Sequence, residues 1–377
     1  MITRITNGKV LLNGKFVHTD ICIEGNKIIA IGDEIECDQI IDVDGNYVTP
    51  GFIDIHCHGG GGADFADGSS EQVKCAAKTH LFHGTTTLFP TIVSTDFEKL
   101  EKSIQAVEAV REELPMLGGI HLEGPYFSPN QTGAQNGDKL RKPSKTEYEH
   151  ILKQYKIARW DYAPELDEDF QFLNTLLEYD VIPSAAHTDA TCTEMEEAAK
   201  RGCNLVTHLY SCTSTIKRQK GFRVAGVVEA TYLNDEISAE LIADGCHLPK
   251  ELLRLAYKLK GPDKLAFITD GMRAAGLEAT GEFEIGGVPC IVEDNVAKLL
   301  DRSAFAGSIA TTDRLVKIGV ETGLPLADTL KMVTETPARL MRLKNKGKIE
   351  IGYDADIVIF DENIDVKRVI LQGENVK

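Results

Sequence analysis

At 377 residues, with 42% hydrophobic and 26% charged side chains, the chain has the make-up of a globular protein and room for one large domain beside a smaller module. No run of about 18 apolar residues offers a membrane span. A formal net charge of −17 repels nucleic acid and anionic lipid, so neither is expected as a partner, and an anionic substrate would need a local basic patch.

The opening MITRITNGKVLLNG alternates apolar and polar residues and lacks the apolar stretch and cleavage site of a leader, which predicts a first strand in a cytoplasmic protein. Across residues 1–50 short alternating runs are separated by Asn7-Gly8, Asn13-Gly14, Gly25-Asn26 and Gly45-Asn46, turn pairs that supply positive φ. Residues 345–377 have the same strand-and-turn character. Segments this short cannot bury a core separately, so the two ends are expected to pair into one small β-sandwich domain.

Residues 51–344 read as alternating strands and helices. Eight apolar runs of strand length stand out: FIDIHCH (52–58), TTTLFPTIV (85–93), LGGIHLEG (117–124), WDYAPE (160–165), VIPSAAH (181–187), NLVTHLY (204–210), ISAELIADG (237–245) and KLAFITDG (264–271). Helical spacing lies between them, as in SSEQVKCAAKTHLFHG, with Ser69 or Ser70 as a cap, and in TEMEEAAKRG, stopped by Gly202. Nearly continuous apolar strands imply a parallel sheet covered by helices, and eight of them imply a (β/α)8 TIM-type barrel. A doubly wound open sheet competes, but G-x-G-x-x-G and G-x-x-x-x-G-K-[ST] are both missing. Gly59 to Gly62 read as a flexible turn. Nine cysteines, an odd number without C-x-x-C, argue against a disulfide framework and against a thiolate zinc site.

Side chains alternate along a strand, so His56 and His58 project to one side while Cys57 points away. Glu123 ends the third run, His187 the fifth and Asp270 the eighth, and His208 lies near the end of the sixth. All fall at the barrel rim where active sites are built. Five chain segments delivering imidazole or carboxylate to one rim predict a metal site, because so many buried polar groups would be costly without a cation. Nitrogen and oxygen donors without sulfur suit zinc, iron, manganese or cobalt, in a catalytic site with an open position. His247 lies on the same rim, available to touch substrate. His121 reads as a hydrogen-bonded core histidine, His80 and His83 as helix-flank residues near Gly84, and His18 and His150 as surface residues.

These segments resemble the amidohydrolase superfamily and, within it, the N-acetylglucosamine-6-phosphate deacetylases. The resemblance covers nearly the whole chain through PGFIDIHCHGGGGADF, GTTTLFPT, HLEGPYFSP with GAQN, APE, AHTDAT, THLY, ADGCH, TDG, AGS and the closing GKIEIGYDADIVIFD. It implies a homodimeric enzyme that hydrolyses the acetamide of an amino-sugar phosphate in amino-sugar recycling. Glu123, His187 and His208 match the family's main metal ligands, His56 and His58 a second-metal position that only some members keep, and Asp270 the catalytic acid/base. One or two divalent metals per chain are implied, zinc first. His247 matches a sugar-contacting histidine. Arg223, in RVAGVV, matches an arginine that reaches the phosphate of the neighbouring subunit's substrate, with Lys217, Arg218 and Lys220 as nearby alternatives. Gln135 stands where the family usually has a carbonyl-polarising histidine, and Ser211 and Cys212 where it has asparagine and alanine. The reaction class is therefore firmer than the substrate. N-acetylgalactosamine 6-phosphate, a cyclic amide or an unphosphorylated N-acyl amine are the competing substrates, and a non-enzymatic scaffold is disfavoured by retention of Asp270.

Overall fold

The computed structural model describes residues 1–32 and 35–377. At its centre eight parallel strands run in chain order: β1 (Phe52–Cys57), β2 (Thr85–Val93), β3 (Ile120–Glu123), β4 (Ile157–Tyr162), β5 (Ile182–Ala185), β6 (Leu205–Val206), β7 (Ser238–Ile242) and β8 (Leu265–Ile268). The barrel closes where the chain after β8 meets β1, with Asp270 N donating to His56 O at 3.0 Å and His58 N to Gly271 O at 2.8 Å. Each strand falls within or overlaps one of the eight apolar runs. Outer helices follow the strands: α1 (Ser70–Phe82), α2 (Phe97–Glu108), α3 (Lys145–Gln154), α4 (Gln171–Glu178), α5 (Cys192–Lys200), α6 (Val227–Leu233), α7 (Lys250–Lys260) and α8 (Thr312–Glu321). Helix α5 shows why the local sequence folds this way. The Thr191 hydroxyl accepts from Glu194 N, the Glu194 carboxylate accepts from Thr191 N, and Met195, Ala198 and Ala199 form the buried face.

The chain ends share one sheet. Ile2–Leu12 pairs with Lys15–Glu24 and with Tyr47–Pro50, and the latter pairs antiparallel with Ile357–Phe360 from the other end of the chain. Ile5, Ile21, Val48, Ile357 and Ile370 are buried together beneath it.

Two features depart from the sequence reading. A four-stranded antiparallel sheet (Gly281–Ile285, Val288–Glu293, Val296–Leu299, Phe305–Ser308) is inserted between β8 and α8. Its tight turns, Gly286-Gly287 and Asp294-Asn295, all have positive φ, the hairpin chemistry that marks such strands. The second departure is His80, which is fully buried rather than on the helix flank. Gly59–Gly60 pairs with Ala63–Asp64 in a tight hairpin, and the His80 ring packs against it, Nε2 donating to Gly59 O at 2.9 Å. Only glycine fits here, since a Cβ on Gly60 would lie 2.9 Å from His80 Nε2.

Burial pushes His80 down to about 4 from 6.5. Between those values an unfolded chain binds a proton that the folded one refuses, so this contribution to stability is complete above pH ~6.5 and is lost as pH falls towards 4. We expect His80→Gln, which keeps a donor for Gly59, to flatten the dependence of the urea midpoint on pH in this window by about one proton. An unchanged slope would contradict the buried neutral imidazole. Among the described residues no helix is long and apolar enough to cross a membrane.

Candidate active site

The carboxyl ends of the barrel strands bring six polar side chains to one point. His56 and His58 come from the end of β1, Glu123 from the end of β3, and His187, His208 and Asp270 from the turns after β5, β6 and β8. Glu123 is the hub: its Oε1 lies 3.2 Å from His187 Nε2 and 3.1 Å from His208 Nε2, and its Oε2 lies 3.5 Å from His58 Nε2. Asp270 Oδ1 is 3.1 Å from His58 Nε2 and 3.5 Å from His56 Nε2. His187, His208 and Asp270 have φ of 42°, 29° and 47°. Left-handed backbone at non-glycine residues costs on the order of 1–3 kcal/mol each and tends to collect at functional sites. Each of the three lies just past the end of its strand, and its own side chain joins the cluster at the barrel mouth. Gly307, with φ 79°, admits a backbone bond from Ser308 N to Asp270 O at 2.8 Å, and a Cβ at 307 would come within 2.9 Å of that oxygen.

The donor set fits divalent cations. Two groups, Glu123/His187/His208 and His56/His58/Glu123, each place their ligand atoms within 4.8 Å of one another, and all are buried. His56 Nε2 faces His58 Nε2 at 3.3 Å, and both also face carboxylates. The far side of the His187 ring is committed, its Nδ1 donating to Gln131 O at 2.8 Å, which leaves Nε2 as the ligand atom. Burial opposes charge on His58, but the bond to Asp270 and the fields of Glu123 and Asp270 raise it to about 9. Burial likewise opposes ionised Asp270, yet His58 and His56 hold it down to about 2.

Above these groups opens a pocket of about 290 Å³, the scale of a small molecule. Gln135, Ser211, Cys212 and His247 line it, as do Phe305 and Gly307 of the inserted sheet. Gln135 Nε2 donates to Glu123 Oε2 at 2.7 Å, while its Oε1 accepts from Ser94 N at 3.1 Å. His247 gives Nδ1 to Asp244 Oδ2 at 2.9 Å and packs against Phe305, their ring centroids 4.8 Å apart. Burial raises the Cys212 thiol, but His187 pulls it below its ordinary value.

Of the residues assigned from sequence, Arg223 does not reach this pocket. It is exposed on a hairpin, Lys217–Gln219 with Phe222–Val224, opposite Arg218, and Lys217 is engaged with Asp189 at 2.9 Å. His121 is buried, as expected of a core histidine, Nδ1 lying 3.0 Å from Thr91 Oγ1. His18 and His150 are exposed, and His83 pairs with Asp313 at 2.9 Å. The sequence reading passed over Arg159, Asp161 and Glu240, which are fully buried beneath the site. Their signal was charge within otherwise strand-like segments, two charged residues in ARWDY and one in SAELI.

Fold and site together define a barrel hydrolase. The chain belongs to the amidohydrolase family, whose model matches residues 47–376. It is 33% identical over 370 residues to the N-acetylglucosamine-6-phosphate deacetylase of Lysinibacillus sphaericus, covering 96% of this chain and 94% of that protein. To the N-acetylglucosamine-6-phosphate deacetylase of Bacillus subtilis (strain 168) it is 34% identical over 340 residues, covering 86% and 83%. The solved structure of the Pasteurella multocida deacetylase superposes with a TM-score of 0.93 at 28% identity, over 100% and 99% of the two chains. A mutant of the Mycobacterium smegmatis deacetylase, in complex with N-acetyl-D-glucosamine-6-phosphate, gives 0.90 at 28% identity, over 100% and 99%. The chain is thus an enzyme of the deacetylase-like amidohydrolases.

Proposed function

We propose that this enzyme hydrolyses the acetamide of N-acetylglucosamine 6-phosphate to glucosamine 6-phosphate and acetate, in the cytoplasm and as a homodimer. The observation that carries the reading is the convergence of Glu123 with both histidine pairs and Asp270 beneath a small pocket. His187, His208 and Glu123 would hold one divalent cation, and His56, His58 and Glu123 a second; zinc suits the donors first, with iron, manganese or cobalt also compatible. Bound there, a cation supplies the Lewis acidity that makes water a nucleophile at neutral pH. Asp270, held ionised at the mouth of the barrel, accepts the proton of the attacking water at its carboxylate. It then returns that proton to the departing nitrogen, so that the C–N bond breaks with the amine as leaving group. Gln135 supplies an N–H donor to the carbonyl oxygen as it gains charge, while His247, its Nδ1 proton held by Asp244, presents Nε2 as an acceptor for a sugar hydroxyl. The inserted sheet, through Phe305 and Gly307, closes one wall of the pocket against solvent.

Arg223 would serve the pocket of a second copy, which accounts for an exposed arginine on a protruding hairpin whose Phe222 is 77% exposed. Arg223→Ala is expected to raise KM for a phosphorylated substrate by about 10-fold or more, the scale of a charge-assisted hydrogen bond. Co-expressed with an Asp270→Asn chain, it should regain activity, because each mixed dimer then assembles one intact site. No recovery would place the arginine in its own chain's site or outside the reaction.

Ser211, Cys212 and Gln135 surround the sugar with hydrogen bonds unlike the family's usual set, so N-acetylgalactosamine 6-phosphate is the second substrate to test. Acetate release from a panel of N-acetyl hexosamines, with and without the 6-phosphate, decides the matter. Turnover confined to phosphorylated sugars is expected. Equal turnover without phosphate, or turnover of cyclic amides alone, would overturn the assignment.

A further inference from the structure

The floor beneath the site is itself charged. Glu240 of β7 lies under His56, with Oε2 3.2 Å from His56 Nδ1, while its other oxygen accepts from the Arg159 guanidinium. Arg159 Nε donates to Asp161 Oδ1 at 3.0 Å and to Ser184 Oγ at 2.8 Å, and Nη2 donates to Thr207 Oγ1 at 2.6 Å. Glu240, Arg159 and Asp161 are all fully buried. Two carboxylates face one guanidinium, so this layer is net negative in the driest part of the barrel. Such a charge is costly unless a cation lies close by. His56 is the link, with Nδ1 on the charged layer and Nε2 among the donors above, 3.6 Å from Glu123 Oε1. Glu240 Oε2 also accepts from the His208 backbone N–H at 3.3 Å, so one carboxylate touches a histidine of each donor group.

We infer that Glu240 is a positioning residue for the cation: it fixes the His56 proton on Nδ1 and so presents Nε2 as a bare donor, with Arg159 fixing how the carboxylate faces. The inference rests on the cation-dependent reading above. A carboxylate only accepts, so the nitrogen it faces carries the proton. Glutamine at 240 has the same shape but the opposite pattern. Its amide oxygen must face the Arg159 donors, which turns the NH2 group towards Nδ1; Nδ1 then accepts, and the proton moves to Nε2 and caps the ligand atom.

The test titrates metal-free protein with Co2+, followed by visible absorption, in the wild type, in Glu240→Gln and in Thr207→Val, with circular dichroism reporting the fold. Wild type should take up Co2+, and Glu240→Gln should bind it about 10–100-fold more weakly, as loss of a ligand's outer partner typically does. Thr207→Val removes a hydroxyl that bonds Arg159 and Asp161 without touching His56, and it should melt earlier with Co2+ affinity unchanged. In the zinc-loaded wild type, nitrogen NMR should find the His56 proton on Nδ1. Wild-type affinity in Glu240→Gln, equal loss in Thr207→Val, or a His56 proton absent from Nδ1 would each overturn the role of Glu240. No Co2+ uptake by the wild type would instead overturn the cation-dependent function itself.

Discussion

Replacing Glu123 with glutamine is expected to lower cation affinity by more than about 100-fold, beyond the usual cost of losing an outer partner, and acetate release by about 10³-fold or more. The magnitude follows from position. Glu123 is the one residue common to both donor groups, its Oε1 facing His187, His208 and His56 and its Oε2 facing His58, and it is 2% exposed. An amide would keep the shape but remove the negative charge that balances a divalent ion, and it would put an N–H where a lone pair is needed. The check is metal content after dialysis, read beside turnover at saturating substrate. A variant that keeps the wild-type metal content and most of its activity would contradict the hub role.

Asp270→Asn is expected to behave differently, keeping its metal content while kcat falls roughly 10²- to 10⁴-fold, the range for one positioned acid/base group. Neither donor triad includes Asp270, yet it lies 3.1 Å from His58 Nε2, at the edge of the cluster and lining the pocket. Its left-handed backbone, pinned by the Ser308 N to Asp270 O bond, fixes where the carboxylate stands. An asparagine can occupy that place but cannot carry a proton from water to amine. Near-native turnover by this variant would remove Asp270 from the mechanism. Comparing metal content with rate in the two variants separates the residue that holds a cation from the one that moves a proton.

Much of this was legible in the sequence because a parallel barrel writes a simple pattern. Strands buried on both faces read as apolar runs, and a polar residue at the end of such a run has one destination, the rim. Glu123, His187, His208 and Asp270 were found in that way, and the H-x-H pair by period-two alternation. His80 was misread because a helix carries its flank and its buried face at similar spacing, and only the Gly59–Gly60 hairpin distinguishes them. The charged layer of Arg159, Asp161 and Glu240 was missed for a related reason. Arg159 and Asp161 sit two residues apart on one short strand and read as a strand end, while Glu240, which completes the layer, comes from a strand far away in the chain. The left-handed turns at His187 and His208 could not be read locally, since histidine enters that region more often than most residues but still rarely, and the surrounding barrel imposes them. The inserted sheet was detectable from Gly286-Gly287 and Asp294-Asn295, but its strands are amphipathic and fall outside the barrel's rhythm. Arg223 poses another kind of difficulty, because it lies exposed on a hairpin away from the pocket and periodicity does not say what an exposed residue meets.

The most direct test of the central claim strips the protein of metal with a chelator, confirms by circular dichroism that it remains folded, and follows acetate release from N-acetylglucosamine 6-phosphate as zinc is restored. The geometry around Glu123 predicts no measurable turnover in the stripped protein and recovery in step with zinc bound, to one or two ions per chain. Full activity in folded, metal-free protein would contradict it.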